Sequence, residues 1–197
     1  PLIVQTLLYI ENRELLDPRY PSRNPAVEWD RFGKALLDMA VRVVNKSHHA
    51  AGGSTLATQI EKFRHSAEGR TTSPREKLRQ MASASIRAYQ HGTDTLATRQ
   101  QIIVDYINSI PLAAIANYGE VRGLGDGLWA WYNTDLTQVN SVLAAHETAA
   151  ESSAALEARA VLLRQVLSLF VAHRRPSFYL HRPEALAAHT DSYLRLM

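Results

Sequence analysis

Apolar residues recur at helical spacing along nearly the whole chain. Residues 2–16 are apolar-rich and close at Asp17-Pro18, which predicts a helix ending where proline forbids its continuation. A loop rich in proline and arginine comes next, over 18–25. Between 29 and 44, Phe32, Leu36, Met39, Ala40 and Val43 fall on one helical stripe. Ser73-Pro74-Arg75-Glu76 carries the signature of a helix start: serine as N-cap, proline at the first helical position, glutamate at the third. That helix is expected to run to about 90 and stop before His91-Gly92. Another opens at Asp94 or Thr95 and runs through Ile102, Ile103, Tyr106 and Ile107 towards Ile110-Pro111. Residues 111–127, with glycines at 119, 123, 125 and 127, read as a looser stretch. Helices are expected again over 128–132, 136–145, 156–172 and 183–196. The pattern holds no convincing strand and no internal repeat, so the expected fold class is all-α.

Between the second and third of these helices lies Gly52-Gly53-Ser54-Thr55-Leu56-Ala57-Thr58-Gln59, with Lys62 and Arg70 beyond it. A glycine pair lets a ligand approach the main chain closely. Ser54 or Thr55 is a good N-cap, so a helix is expected to start there and run through Ile60 towards His65. Its N-terminus offers unpaired N–H groups and a partial positive charge, which suits a phosphate-bearing ligand. A capped surface helix after a glycine turn is the plainer reading of the same residues.

Composition narrows the field. The chain has 197 residues, of which 46% are hydrophobic, enough for one domain with a substantial core. Cysteine is absent, which excludes disulfides, cysteine nucleophiles and thiolate metal sites. A net charge of +3 is too mild for a dedicated nucleic-acid-binding module. Lys62, Arg64, Arg70, Arg75, Lys77 and Arg79 nevertheless cluster, either as a solvated basic face or as a contact to phosphate or an anionic membrane. No apolar run reaches the length of a membrane span. The chain opens on Pro1 without a signal peptide, as expected of a piece excised from a longer membrane-anchored protein.

Several segments together resemble the peptidoglycan glycosyltransferases, glycosyltransferase family 51. The glycine-serine-threonine run is similar to that family's second motif, Gly-Gly-Ser-Thr-Ile-Thr-Gln-Gln with a lysine three residues on. Ile10-Glu11-Asn12-Arg13-Glu14-Leu15 resembles the opening Glu-Asp-x-x-Phe, and the segment from Val27 to Leu36 resembles the family's next stretch of chain. Arg70-Thr71 looks like the arginine-threonine before the third motif, Arg-Lys-x-x-Glu, onto which Lys77 and Gln80 can be aligned. Asp105-Tyr106-Ile107-Asn108 resembles Glu-x-Tyr-Leu-Asn. Tyr118-Gly119 and Gly123, with Trp131-Tyr132, are similar to the Tyr-Gly segment, and 181–186 with 194–197 to the closing helix. The collinear order along most of the chain carries the resemblance.

The resemblance implies a single helical domain over 1–197, with a lysozyme-like core and a second, smaller membrane-proximal lobe. It implies polymerisation of lipid II into glycan strands, with inversion and departure of undecaprenyl pyrophosphate. Glu11 matches the catalytic base. Gly52, Gly53, Ser54, Thr55, Gln59, Lys62, Arg70, Lys77 and Gln80 match positions that hold sugar and pyrophosphate. No cofactor is required, although a divalent cation such as Mg or Mn could assist the pyrophosphate. His48-His49 and His65 are the nearest histidines, and loop histidines are usually solvated. The expected partners are lipid II, the glycan strand, the membrane surface, and a transpeptidase domain or other cell-wall synthesis proteins. The expected place is the periplasmic face of the bacterial inner membrane.

The departures motivate two alternatives. Asn12 and Leu15 replace the motif aspartate and phenylalanine, and Asn24-Pro25-Ala26 stands where His-x-Gly should fall. Ala57 and Thr58 replace a threonine and a glutamine, and Gln80 replaces a glutamate. These near-isosteric changes could spare binding while reducing turnover, which would make the chain a scaffold that binds lipid II or glycan. A lytic enzyme using one glutamate is the other alternative. The glycine-serine-threonine run and the basic residues speak against it.

Overall fold

A computed structural model describes residues 2–28, 33, 54–65, 73–144 and 152–197. The described elements are α1 (Leu2–Glu11), α2 (Leu56–His65), α3 (Pro74–Ala88), α4 (Leu96–Ser109), β1 (Pro111–Ile115), β2 (Gly119–Arg122), α5 (Gly123–Tyr132), α6 (Leu136–Ala144), α7 (Ser153–Ala172), α8 (Pro176–Leu180) and α9 (Pro183–Leu194). The mostly helical fold agrees with the expected all-α class. Apart from residue 33, the helix expected over 29–44 lies outside the described residues, as does the glycine loop over 48–53.

The chain divides into two compact units, one of residues 1–13 with 104–197, the other of 14–103. In the first, α7 is the central helix and packs against α1, α5, α6, α8 and α9. Its second half is buried on every side from Val166 to Ala172, as a helix surrounded by others must be. α1 turns Ile3, Leu7 and Ile10 inward at helical spacing and ends at Glu11, earlier than the expected 16. Residues 13–16 form turns instead, and Leu15 is still buried. At the other end of the chain, the Tyr9 hydroxyl donates to the Leu196 carbonyl.

In the second unit, Ala26, Ala57 and Ala84 meet in a small-residue core, with Val27 and Ile102 against it. Small side chains let α2 and α3 approach closely there. Ser73 caps α3 as expected: its Oγ accepts from the Glu76 N–H at 3.2 Å, with Pro74 in the first turn. Arg99, on α4, is fully buried and donates to backbone carbonyls of the loop 15–21. Thr95 secures the same loop, its hydroxyl lying 3.0 Å from the Pro21 carbonyl and 2.6 Å from that of Arg23.

The expectation of no strand is corrected. Residues 111–122 form an antiparallel hairpin with Leu112 opposite Val121 and Ile115 opposite Gly119. Asn117 and Gly119 take positive φ in the turn, a conformation asparagine and glycine tolerate. The glycines that made this stretch look irregular are the hairpin's turn and its exit into α5, which starts at Gly123, five residues earlier than expected. The short α8 was also not anticipated.

Gly123 has φ +81°, and a Cβ added there would sit 2.7 Å from the Asn108 carbonyl oxygen. Gly123→Ala is therefore expected to cost about 1–3 kcal/mol from backbone strain alone, with the clash adding to it. A denaturant titration checks this. A loss below about 0.5 kcal/mol would show that the hairpin relaxes freely.

Candidate active site

The motif helix α2 begins where the sequence places it, with Thr55 rather than Ser54 as the cap. The Thr55 N–H donates to Thr58 Oγ1 at 2.8 Å, and the Thr58 N–H approaches Thr55 Oγ1 at 3.3 Å. This is a reciprocal capping box in which Thr58 takes the role usually held by glutamate or glutamine. Thr58, read from sequence as a departure from the motif, thus has a local structural purpose. Both threonines are buried.

With Thr55 occupied in the cap, Ser54 is left to a different partner. Lys77 Nζ donates to Ser54 Oγ at 2.6 Å, tying α3 to the start of α2. Burial, and then the nearby charge of Lys62, lower the Lys77 pKa below that of an ordinary lysine. Lys62 is half-buried, its ammonium 5.8 Å from the centre of the Phe63 ring. Neither lysine has a carboxylate partner among the described residues. Two half-buried cations that repel each other beside a helix start form a pair that an anion would relieve.

Gln80 is buried one helical turn beyond Lys77 and lines a cavity of about 370 Å³ with Glu76, Arg79, Ser83 and Arg87. Gln59 is half-buried on α2. The structure therefore gathers Ser54, Thr55, Gln59, Lys62, Lys77 and Gln80 on α2 and α3. Gly52, Gly53 and Arg70 lie outside the described residues, as do His48 and His49.

Sequence reasoning passed over Glu61, which is 2% exposed and the main link between the two helices. Its carboxylate accepts from Ser83 Oγ at 2.6 Å, pairs with Arg87 Nε at 2.9 Å, and has Arg64 Nη1 at 3.4 Å. Fixing Arg87 through Nε orients its guanidinium along the cavity wall. The available signal was an acid four residues after Ala57, on the buried stripe of α2. Arg64 is a local partner, but Ser83 and Arg87 lie more than twenty residues away and give no local sign.

Glu11 is in the other unit, at the last position of α1, and is 5% exposed. Arg174 Nη2 donates to its Oε1 at 3.1 Å, and His173 Nε2 lies 3.8 Å from the same oxygen. Burial lowers the affinity of Arg174 for its proton, but the Glu11 charge and hydrogen bond outweigh this, so its pKa is raised. Tyr106 lies behind the pair, and burial followed by the Glu11 charge pushes its pKa well above the ordinary value. The phenol therefore stays neutral. The arrangement fixes a buried carboxylate beside a cation. The sequence offered Glu11 as a candidate but gave no hint of His173 and Arg174, more than 160 positions away.

The mostly helical fold is the one expected of the glycan-transferring class that the sequence resembles. The family model described as transglycosylase matches residues 1–197, and the chain belongs to that family, the glycosyltransferase-51 domain of penicillin-binding proteins. No curated protein matches the chain. Membership gives a peptidoglycan glycosyltransferase-type function in extracytoplasmic cell-wall synthesis. Among the described residues, no helix is long and apolar enough to cross a membrane. No group of three histidine or acidic side chains among them could hold a metal ion.

Proposed function

We propose that this domain polymerises lipid II into glycan strands with inversion at the anomeric carbon. Glu11 removes the proton from the acceptor sugar hydroxyl as that oxygen attacks the donor's anomeric carbon. The bond to undecaprenyl pyrophosphate breaks at the same time and its electron pair leaves with the phosphate. Lys62, Lys77 and Arg70 meet the charge that develops there, while Ser54 and Gln59 hold neighbouring oxygens. A positioned general base contributes about 10²–10⁴-fold to such a step. The observation that carries the reading is the buried carboxylate of Glu11, paired with a cation at the position matching the family's base.

One observation favours a slower catalyst or a lipid II-binding scaffold. Gln80, where the third motif has a glutamate, is buried and so keeps an amide in place without its charge. Incubating the chain with lipid II separates the readings. Polymer supports the transferase, binding without polymer supports the scaffold, and solubilised preformed peptidoglycan would mark a lytic enzyme.

The lowered pKa of Lys77 gives a further expectation. An anion is held by the ammonium and not by the neutral amine. Pyrophosphate affinity, followed by calorimetry, is therefore expected to fall as pH rises through a midpoint below 10.5, and Lys77→Arg should hold it to higher pH. Stability moves the other way: the fold favours the neutral amine, so stability rises with pH over the same window. An affinity that stays flat to pH 10.5 in the native chain would remove Lys77 from the anion site.

A further inference from the structure

Four features fix the chemistry of His173. Its Nδ1 lies 2.6 Å from the Phe170 carbonyl oxygen, which only accepts, so Nδ1 carries a proton. The nitrogen that gains and loses a proton is then Nε2, and this is the atom 3.8 Å from Glu11 Oε1. His173 also stands at the C-terminus of α7, where the helix dipole favours an imidazolium. The Tyr106 ring packs edge-on against the imidazole at 6.0 Å, which limits its rotation.

We propose that His173 and Glu11 form a proton-sharing dyad, with His173 a positioning residue that acts through the carboxylate. The proposal rests on the glycosyl-transfer reading of Glu11 for its purpose, though not for its existence. In that reading Glu11 takes the proton released as the acceptor oxygen bonds to the anomeric carbon and the pyrophosphate departs. The proton then passes to His173 Nε2 and on to solvent, which restores the carboxylate for the next addition. Closing 3.8 Å to hydrogen-bond length is the tightening that sites without substrate commonly undergo. Arg174 donates to the same Oε1 and places a fixed positive charge beside the dyad.

Among the described residues, the groups facing the imidazole include Glu11 from α1, Tyr106 from α4 and Arg174 beside it in the chain. Tyr193 of α9 reaches Arg174, 3.5 Å from its Nη1. Tyr106 is held neutral and Arg174 is held charged, and Glu11 is the carboxylate that lies beside Nε2 among the described residues. The dyad therefore titrates as a pair.

Nuclear magnetic resonance of the intact chain tests the dyad without any need for turnover. The side-chain nitrogen shifts of His173 should show the Nδ1–H tautomer, and the Glu11 carboxyl carbon should shift at the pH where His173 titrates. Glu11→Gln should lower the His173 midpoint by about one pH unit. A carboxyl carbon silent at that pH, or an Nε2–H tautomer, overturns the dyad. The pH dependence of polymerisation then tests its use. His173→Gln should lower kcat by about 10–100-fold at pH 7 with little change in KM, and should move the acid limb of the profile. An unmoved limb with coupled titration would refute the proton path alone. Coupled titration in a native chain that makes no polymer would refute the transferase reading and leave the dyad standing.

Discussion

Arg99→Met is expected to lower the unfolding free energy by about 3–5 kcal/mol, a large share of what a domain of this size has. The guanidinium is wholly buried and faces main-chain oxygens rather than a carboxylate. Nη1 is 2.7 Å from the Leu15 carbonyl and 3.4 Å from that of Asp17, and Nη2 is 2.8 Å from Tyr20 and 3.3 Å from Pro21. Burial, and then the charge of Arg23, lower its pKa, while the charges of Asp94 and Asp17 act the other way, so the carbonyl dipoles and these acids together offset the cost of the buried charge. Methionine fills the space but removes the charged donor from all four oxygens. Those of Asp17, Tyr20 and Pro21 keep the N–H groups of Tyr20, Arg23 and Thr95. The Leu15 carbonyl loses its Arg99 bond, at about 1–3 kcal/mol if it stays buried without a donor. Lysine should recover only part of the loss, since one ammonium cannot span two pairs of carbonyls. Urea titrations of the three forms decide it. A loss below about 1 kcal/mol for Arg99→Met would mean that the loop is solvated once the arginine is gone.

Glu11→Gln is expected to lower the polymerisation rate by about 10²–10⁴-fold while lipid II binding is kept. Glutamine is nearly isosteric and can still accept from Arg174 through its amide oxygen, but it cannot take a proton. Arg174 loses its counter-charge, yet 46% of its side chain is exposed to water, so the fold should survive. A fall in kcat with KM unchanged is the signature of a group that acts in the transition state alone. Steady-state kinetics beside a thermal melt separate that from simple unfolding.

The helices were legible because their stripes and caps are local. Ser73-Pro74 and its glutamate mark the start of α3, and that start is observed. The hairpin was not legible, because its pairing of Leu112 with Val121 is a relation between segments, while Pro111 and the glycines after it read locally as irregular. Thr58 looked like a damaged motif until its hydrogen bonds with Thr55 showed a cap. Among functional groups, the sequence order pointed to Glu11, Ser54, Lys62 and Lys77. The charges that control them could not be read the same way. Glu61 finds Ser83 and Arg87, and Glu11 finds His173 and Arg174, only after the chain has folded. Residue type signals chemistry locally, whereas partners of a buried charge are set by tertiary packing.

The measurement closest to the central claim tracks lipid II binding and glycan formation together in the native chain and in Glu11→Gln. If Glu11 is the base, both forms bind lipid II with the same affinity and only the native chain builds polymer at an appreciable rate. Equal polymer from both forms, or binding by both with polymer from neither, would contradict it.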